Sequence, residues 1–423
     1  MADLTANNIK LEQCRICGSK DLTNYLDLGS LPLANGFVKS PSEEEPRFPL
    51  EVLYCGNCGL SQLGLVVDPK ILFSYYPYRS SISRTFQNHC SEMAEVAKQY
   101  FPNPKDTLVV DIASNDGCLL NEFKKKGFKV LGVDPAKNIA KIANERGIET
   151  LCEFWGPETA GKITKRGKAK IITATNVFAH VHDVNGFVAN AKKALAEDGM
   201  LIFEFHYAGD LIGKTEFDTI YHEHLSYFLL RPLTFLFGKH GMRIFDARIF
   251  PVHGGALRIY AVNKGNPLED KDSVKELLEF EKNNGLDRIE TYYRFRENVE
   301  KIKRDFSRLM RKFRKEGKLV AGFGAAAKGN TLLNYCGINR DFIKFIVDET
   351  PEKQGLLYAG TKIPVKGFEA IREMKPDYII IFPWNFSKEI ISKVGQVKEF
   401  REKNGKYVIP IPEVRIVSGV EEL

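Results

Sequence analysis

Tyr221-His222-Glu223-His224 sets a phenol, two imidazoles and a carboxylate side by side, flanked by Phe217, Ile220, Leu225, Tyr227 and Phe228. Three of these groups can give or take a proton near neutral pH once their surroundings tune them, so proton transfer is the chemistry expected here. On a strand, alternation would send Tyr221 and Glu223 to one face and His222 and His224 to the other. Tyr221, Glu223 and His224 can therefore share one ligand only if the segment is a loop.

A second set of reactive residues lies near the amino terminus. Cys14, Cys17, Cys55 and Cys58 form two C-x-x-C pairs, each followed by glycine (Gly18, Gly59), while Cys90, Cys118, Cys152 and Cys336 are scattered. Paired knuckles of this kind read as a tetrahedral zinc site rather than as disulfides. Four sulfur ligands leave no open coordination position, so this zinc is expected to be structural.

The elements that must position these groups begin with the overall composition. At 423 residues, with 43% hydrophobic and 27% charged residues, the chain can hold two or three domains, each with its own core. It has no apolar run of about 18 residues, and Met1-Ala2-Asp3-Leu4 leads into polar sequence, so a cytoplasmic protein without membrane contact is expected. The net charge of +7 is spread along the length, which argues against nucleic acid and suits an anionic small ligand.

After the second knuckle, Tyr75, Tyr76, Pro77 and Tyr78 form an aromatic loop that either packs or walls a pocket. A helical pattern follows over residues 82–100. From Thr107 the pattern is α/β: a strand over 108–112, the turn Ala113-Ser114-Asn115-Asp116-Gly117, an amphipathic helix, and a second strand ending at Asp134. A tight turn and an acid at the next strand end are the parts of a nucleotide-type site. This turn has one glycine where a dinucleotide loop needs three, so it offers no seat for a pyrophosphate and suits S-adenosylmethionine better. Strands over 171–177 and 200–205, then a hairpin of 242–247 with 256–261, complete a parallel sheet with an antiparallel end.

Ser273 and Glu276 read as a capping box, and Phe295, Val299, Ile302, Phe306, Leu309 and Phe313 place one apolar stripe on a long helix. Residues 319–323 then start a second doubly wound sheet, with further strands over 345–347, 378–382 and 407–410. Its first loop, residues 324–330, could offer backbone amides and the Lys328 ammonium to a phosphate. The expected division is a zinc domain over 1–70, a methyl-donor domain over 71–270 and a carboxyl-terminal α/β domain over 271–423.

Six motifs stand in one order along the chain: the knuckle pair, the Tyr76-Pro77-Tyr78-Arg79-Ser80-Ser81 loop, residues 111–117, Tyr221-His222-Glu223-His224, His253-Gly254-Gly255-Ala256-Leu257-Arg258, and residues 322–335. That order resembles the nucleotide-sugar C-methyltransferases, zinc-containing S-adenosylmethionine-dependent enzymes that methylate C3 of a 4-keto-6-deoxy sugar carried on a nucleotide. The resemblance implies a class I (Rossmann-like) methyltransferase domain between the zinc domain and a second Rossmann-like domain. Ala113 departs from it, standing where glycine is expected.

The resemblance also implies roles. His224 is the first choice as base, with Tyr221 or His180 donating to the C4 oxygen and Glu223 orienting an imidazole or holding a sugar hydroxyl. Tyr76 and Tyr78 match the loop that reaches over the sugar. Asp111, Ala113, Ser114, Asn115, Gly117, Asp134 and Asn176 would line the cofactor. His253, Gly254, Arg258, Lys328 and Asn330 would meet the substrate, the last three at its diphosphate. The partner implied is a 4-keto sugar on dTDP, GDP or CDP; oligomeric state is not legible, with a monomer favoured. The competing readings are a metal enzyme using His222, Glu223 and His224, an NAD-dependent sugar-nucleotide oxidoreductase, and a non-catalytic zinc-ribbon module.

Overall fold

A computed structural model of the chain describes residues 8–73, 81, 84–252 and 254–423. Tyr76, Tyr78 and His253, three of the expected site residues, lie outside the described residues.

The two C-x-x-C runs fold as matching turns. Gly18 N–H donates to the Cys14 carbonyl and Gly59 N–H to the Cys55 carbonyl, each at 2.9 Å, with both glycines in the left-handed region at φ 75° and 82°. Glycine takes that conformation without steric cost. The four sulfurs lie within 4.8 Å of one another, and Cys14–Cys58 and Cys17–Cys55 are each separated by 3.5 Å. Zinc–sulfur bonds of about 2.3 Å in a tetrahedron need sulfurs roughly 3.8 Å apart, so the four cysteines fit the metal and complete its shell.

Behind the knuckles, strands Leu22–Pro32, Arg47–Cys55 and Ser61–Leu63 pair antiparallel. The fourth strand of this sheet, Ser226–Tyr227, arrives from far along the chain and pairs with Ser61–Leu63. Arg15, buried between the metal ligands, donates to the Leu225 carbonyl at 3.2 Å. The segment that follows His224 is thus part of the zinc domain.

The middle sheet has seven strands in the order Met242–Phe250, Ala256–Asn263, Leu195–His206, Ala169–Thr175, Leu108–Ile112, Lys129–Val133, Thr150–Leu151. The last five run parallel and the first two form the antiparallel end. Neighbouring residues such as Val109 with Val110 and Ile171 with Ile172 are all fully buried, as both-faced burial of a parallel sheet requires. Strand order reverses at Leu108–Ile112, opening a crevice at its carboxyl end where ligands of such sheets bind.

The 27-residue helix Ile289–Lys315 buries Phe295, Val299, Ile302, Phe306 and Phe313, and its Tyr292 ring sits 5.0 Å from Tyr25 and 4.6 Å from Tyr54 of the zinc domain. The preceding helix, Asp272–Asn283, turns back on the middle domain, where Glu281 accepts from Leu230 N–H at 2.6 Å and Arg231 N–H at 3.1 Å. The last sheet runs Val365–Lys366, Phe345–Val347, Val320–Phe323, Tyr378–Ile381, Lys406–Ile409, Arg415–Val417, all parallel except the last. It closes against the zinc domain through Glu45, which accepts from Gly360 N–H at 2.9 Å and pairs with Lys362 at 3.2 Å. Among the described residues, no helix is long and apolar enough to cross a membrane.

The metal-bearing turns hold residues 225–227 through Arg15 and through Leu63 N–H, which donates to the Leu225 carbonyl at 2.9 Å. Chelating the zinc is therefore expected to speed amide hydrogen exchange at Leu63 and over residues 225–227, read by mass spectrometry. Unchanged protection in metal-free protein would show that the metal does not support this segment.

Candidate active site

The crevice beside Leu108–Ile112 is lined by a loop of alternating handedness. Ala113, Asn115 and Gly117 have φ of 56°, 50° and 78°, and Asn176, exposed at the end of the neighbouring strand, has φ 56°. Asparagine and glycine tolerate this region; alanine does so at roughly 1 kcal/mol, which is the local cost of standing where glycine is expected. A Cβ at Gly117 would come within 3.1 Å of Ile148. Asp134 ties the loop to the next strand, its two oxygens accepting from Asn115 N–H and Ala136 N–H at 2.9 Å each. Asp111 is buried in the strand itself, accepts from the Thr173 hydroxyl at 2.6 Å, and is pushed up to about 7 by burial. Ser114 N–H donates to the Val133 carbonyl at 3.1 Å, and its side chain is buried beside Gly132. The bends leave one narrow seat without a glycine-rich phosphate cradle, and this fits S-adenosylmethionine.

Facing that crevice is the segment 216–228, and it is not a strand. It runs as a 3-10 turn at Phe217–Thr219, a turn closed by His224 N–H to the Tyr221 carbonyl at 2.9 Å, and then Ser226–Tyr227. Such a turn brings its first and fourth residues together. The rings of Tyr221 and His224 are 4.0 Å apart, and His180, from the 3-10 turn Phe178–His180, is 5.0 Å from His224.

The two residues at the corners diverge. His222 is buried with Nε2 donating to the Phe48 carbonyl at 3.1 Å, and Glu223 accepts from Asn35 Nδ2 at 2.6 Å. Three side chains leaving in three directions cannot share an ion, which overturns the metal-ligand reading of His222, Glu223 and His224. Among the described residues, only the four cysteines could hold one. Glu223 also does not orient an imidazole. That task falls to the Thr219 carbonyl, 2.7 Å from His224 Nδ1. A carbonyl only accepts, so Nδ1 carries the hydrogen and Nε2 keeps its lone pair. Burial pushes His224 down to about 3 and holds His180 well below the ordinary histidine range, with His224 adding to the latter. Both rings are neutral at pH 7.

Several groups at this junction are absent from the sequence reading. His206, at the carboxyl end of Leu195–His206, lies 2.8 Å from Glu216 Oε2. Trp384 Nε1 donates to Asp218 Oδ2 at 2.8 Å. Burial pushes Glu216 up to about 7 and Asp218 up to about 6, with Lys328 pulling both back. His206 carried a signal like the one that singled out His180, since it ends a parallel strand and His180 stands just beyond one, where ligands gather. Gly254 closes over them with φ 101°; a Cβ there would meet Glu216 Oε2 at 3.1 Å and Trp384 Cη2 at 3.2 Å.

Of the three residues expected at a diphosphate, Arg258 and Asn330 are enclosed in protein networks, and Lys328 lies at the junction near His206 and His224. Arg258 is fully buried in the middle sheet, where it donates to Glu204 at 2.7 Å, to Glu92 at 2.6 Å and to His89 at 2.9 Å. Its donors are consumed by this network. Asn330 is buried too, donating to the Ala359 carbonyl at 2.9 Å and accepting from Asn334. The Lys328 ammonium sits 4.4 Å over the Trp384 ring and 3.4 Å from Asn385 Oδ1, facing the Asp218 and Glu216 carboxylates inside the junction. One amide of the 324–330 loop, at Ala325, donates to Asp348 Oδ2 at 2.8 Å.

Three family models match the chain in succession: a zinc binding domain over residues 14–73, a methyltransferase domain over 84–246, and a C-methyltransferase C-terminal domain over 251–412. The methyl donor of that central fold is S-adenosylmethionine, and both expected cofactors, this one and the structural zinc, agree with the models. The chain is 35% identical over 416 residues to C-methyltransferase NovU of Streptomyces niveus, covering 98% of each. Solved structures similar to the central part include magnesium protoporphyrin IX methyltransferase (ChlM) from Synechocystis PCC 6803 with bound SAM, at 13% identity and TM-score 0.33, over 42% of this chain and 79% of that one. Another is the plantazolicin methyltransferase BpumL with SAH, at 12% identity and TM-score 0.34, over 41% and 82%. With its full length aligned to one C-methyltransferase and its three parts matched in order, the chain belongs to the zinc-binding C-methyltransferase family.

Proposed function

We propose that this chain is a cytoplasmic S-adenosylmethionine-dependent enzyme that methylates C3 of a 4-keto-6-deoxy sugar carried on dTDP, GDP or CDP, through an enediolate. The observation that carries this reading is His224. Its Nδ1–H is spent on the Thr219 carbonyl at 2.7 Å, and its free Nε2 stands beside Tyr221 and His180.

A ketone at C4 makes the C3 hydrogen acidic enough for a side-chain base. His224 Nε2 takes that proton as the C3–H bond breaks, and the electron pair spreads over C3, C4 and the C4 oxygen. Tyr221 and His180 stand where a donor to that oxygen is needed as charge builds. Burial keeps His224 neutral before the reaction, and the anion formed beside it then stabilises the imidazolium. S-adenosylmethionine, which the 111–117 turn and Asp134 would hold, would supply an electrophilic methyl group on sulfonium for that pair, its methyl–sulfur bond breaking and S-adenosylhomocysteine leaving. Four sulfur ligands keep the zinc out of these steps.

Incubation with methyl-labelled S-adenosylmethionine and a panel of 4-keto-6-deoxy sugars on dTDP, GDP and CDP is expected to place the label on C3, located by NMR. A methyl on oxygen would overturn the enediolate. His224→Asn is expected to lower kcat by about 10²- to 10⁴-fold, the range for loss of a general base, with the melting curve and cofactor affinity retained. Near wild-type turnover in that variant would reassign the base.

A further inference from the structure

The His224 tautomer depends on one carbonyl, and that carbonyl belongs to a turn gripped from the carboxyl-terminal domain. The 3-10 turn Phe217–Thr219 has the Thr219 hydroxyl and N–H both donating to the Glu216 carbonyl, at 2.7 and 3.1 Å. Helix Ala327–Cys336 lies across it. Thr331 Oγ1 donates to the Ile220 carbonyl at 3.2 Å, and the Tyr335 ring packs edge-on against Phe217 at 5.6 Å. From the loop after Tyr378–Ile381, Trp384 Nε1 donates to Asp218 Oδ2 at 2.8 Å, and the same indole ring carries the Lys328 ammonium at 4.4 Å.

A plain packing interface does not need this chemistry. Asp218 and Glu216 are 1% and 0% exposed, and among the described residues Asp218 Oδ1 and Glu216 Oε1 have no hydrogen-bond partner. Two buried carboxyl groups within one turn repel each other when ionised and cost desolvation in any case. The Lys328 ammonium opposes both, and among the described residues its hydrogen bond is the 3.4 Å one to Asn385. Lys328 and Trp384 therefore hold the turn electrostatically as well as by shape.

We propose that Asp218, gripped by Trp384 and Lys328, is a positioning residue for the base: the carboxyl-terminal domain sets the Thr219 carbonyl and, through it, the tautomer and seat of His224. This deepens the proposed function, since it takes His224 as the base, and it gives Lys328 a task in place of diphosphate binding. Removing the clamp moves the carbonyl, lets Nδ1 lose its fixed acceptor, and releases the imidazole to exchange tautomers. Misplacement of a reacting group by about 1 Å lowers turnover roughly 100-fold, so kcat should fall while cofactor affinity, set by the 111–117 loop, stays.

The test uses full-length, zinc-loaded protein labelled with 15N-histidine. The His224 ring signals are assigned by their loss in His224→Asn. Wild type should show His224 wholly as the Nδ1–H tautomer. Trp384→Phe, which keeps the ring but removes the donor, and Lys328→Met should each give mixed-tautomer shifts at His224, with His222, held by Phe48, unchanged. On whichever sugar nucleotide wild type methylates, both variants should lose at least tenfold in kcat with an unchanged KM for S-adenosylmethionine. Asp218→Asn, which still accepts from Trp384 but lacks the charge, should lie between them and wild type. His224 shifts identical to wild type in both Trp384→Phe and Lys328→Met would overturn the proposal. If wild type methylates no member of the panel, the substrate reading fails, while the tautomer measurement still decides the clamp. If Lys328→Met does not fold, Trp384→Phe decides alone.

Discussion

The proposed base depends on the 2.7 Å hydrogen bond from His224 Nδ1 to the Thr219 carbonyl. An imidazole can remove a proton only if one nitrogen is committed elsewhere and the other is left bare. In many enzymes a carboxylate makes that commitment. Here the nearest carboxylate in sequence, Glu223, is turned away to Asn35, and a backbone carbonyl takes its place. A carbonyl is only as well placed as the peptide that carries it, so the demand passes to the backbone of residues 216–220.

That backbone has no periodic structure to hold it, and the architecture supplies the missing rigidity from three sides. The zinc domain takes up the downstream end by pairing Ser226–Tyr227 with Ser61–Leu63 and by anchoring His222 to Phe48. The middle domain holds the flanks, through His206 on Glu216 and through Leu225 N–H, which donates to the Ala179 carbonyl at 2.7 Å next to His180. The carboxyl-terminal domain covers the upstream turn with helix Ala327–Cys336. A loop lets Tyr221 and His224 face the same way, as no strand would, and a scaffold of separate bodies makes that loop precise. The zinc matters to the chemistry only as the staple of one of these bodies.

How much of this was legible follows from where each residue finds its partner. The two knuckles are local: ligands, spacing and the glycine needed for the turn sit within a few residues, and all four cysteines converge. Apolar runs wrote the parallel sheet and its antiparallel end in the same local way. Arg258 misled, because its fate is set by register. It stands opposite Glu204 across two strands, with Glu92 and His89 closing in from a helix remote in sequence. Residues 324–330 read as an anion cradle, but Lys328 and Asn330 lie in the first turn of helix Ala327–Cys336, and Asp348, from the end of the next strand, takes the Ala325 amide. Ser273 carried a capping-box pattern, yet the helix begins one residue earlier, at Asp272, and its hydroxyl donates to Asp246 at 2.7 Å. A tertiary carboxylate outcompeted the local cap. The Tyr221–His224 pairing was legible only as a condition: the types were there, and the turn that unites them is fixed by contacts with residues distant in sequence.

The electrostatics of the junction work against the stability of the fold from both directions. Burial holds His206 and His224 near 3 and His222 near 4, against 6.5 for a free imidazole. The unfolded chain therefore binds more protons than the folded one below 6.5, and the fold loses stability as pH falls from there toward 3 or 4. Burial raises Glu216 and Glu223 to about 7 from 4.5, so their protonated folded forms cost stability as pH rises from 4.5 toward 7. No pH relieves both sets. What the arrangement gains at neutral pH is a set of uncharged imidazoles enclosed together with the Lys328 ammonium and the Asp218 and Glu216 carboxyl groups that face it. For the proposed reaction, which builds an anion beside a neutral base, that neutrality counts for more than the stability, and the apolar packing of the surrounding domains offsets the difference.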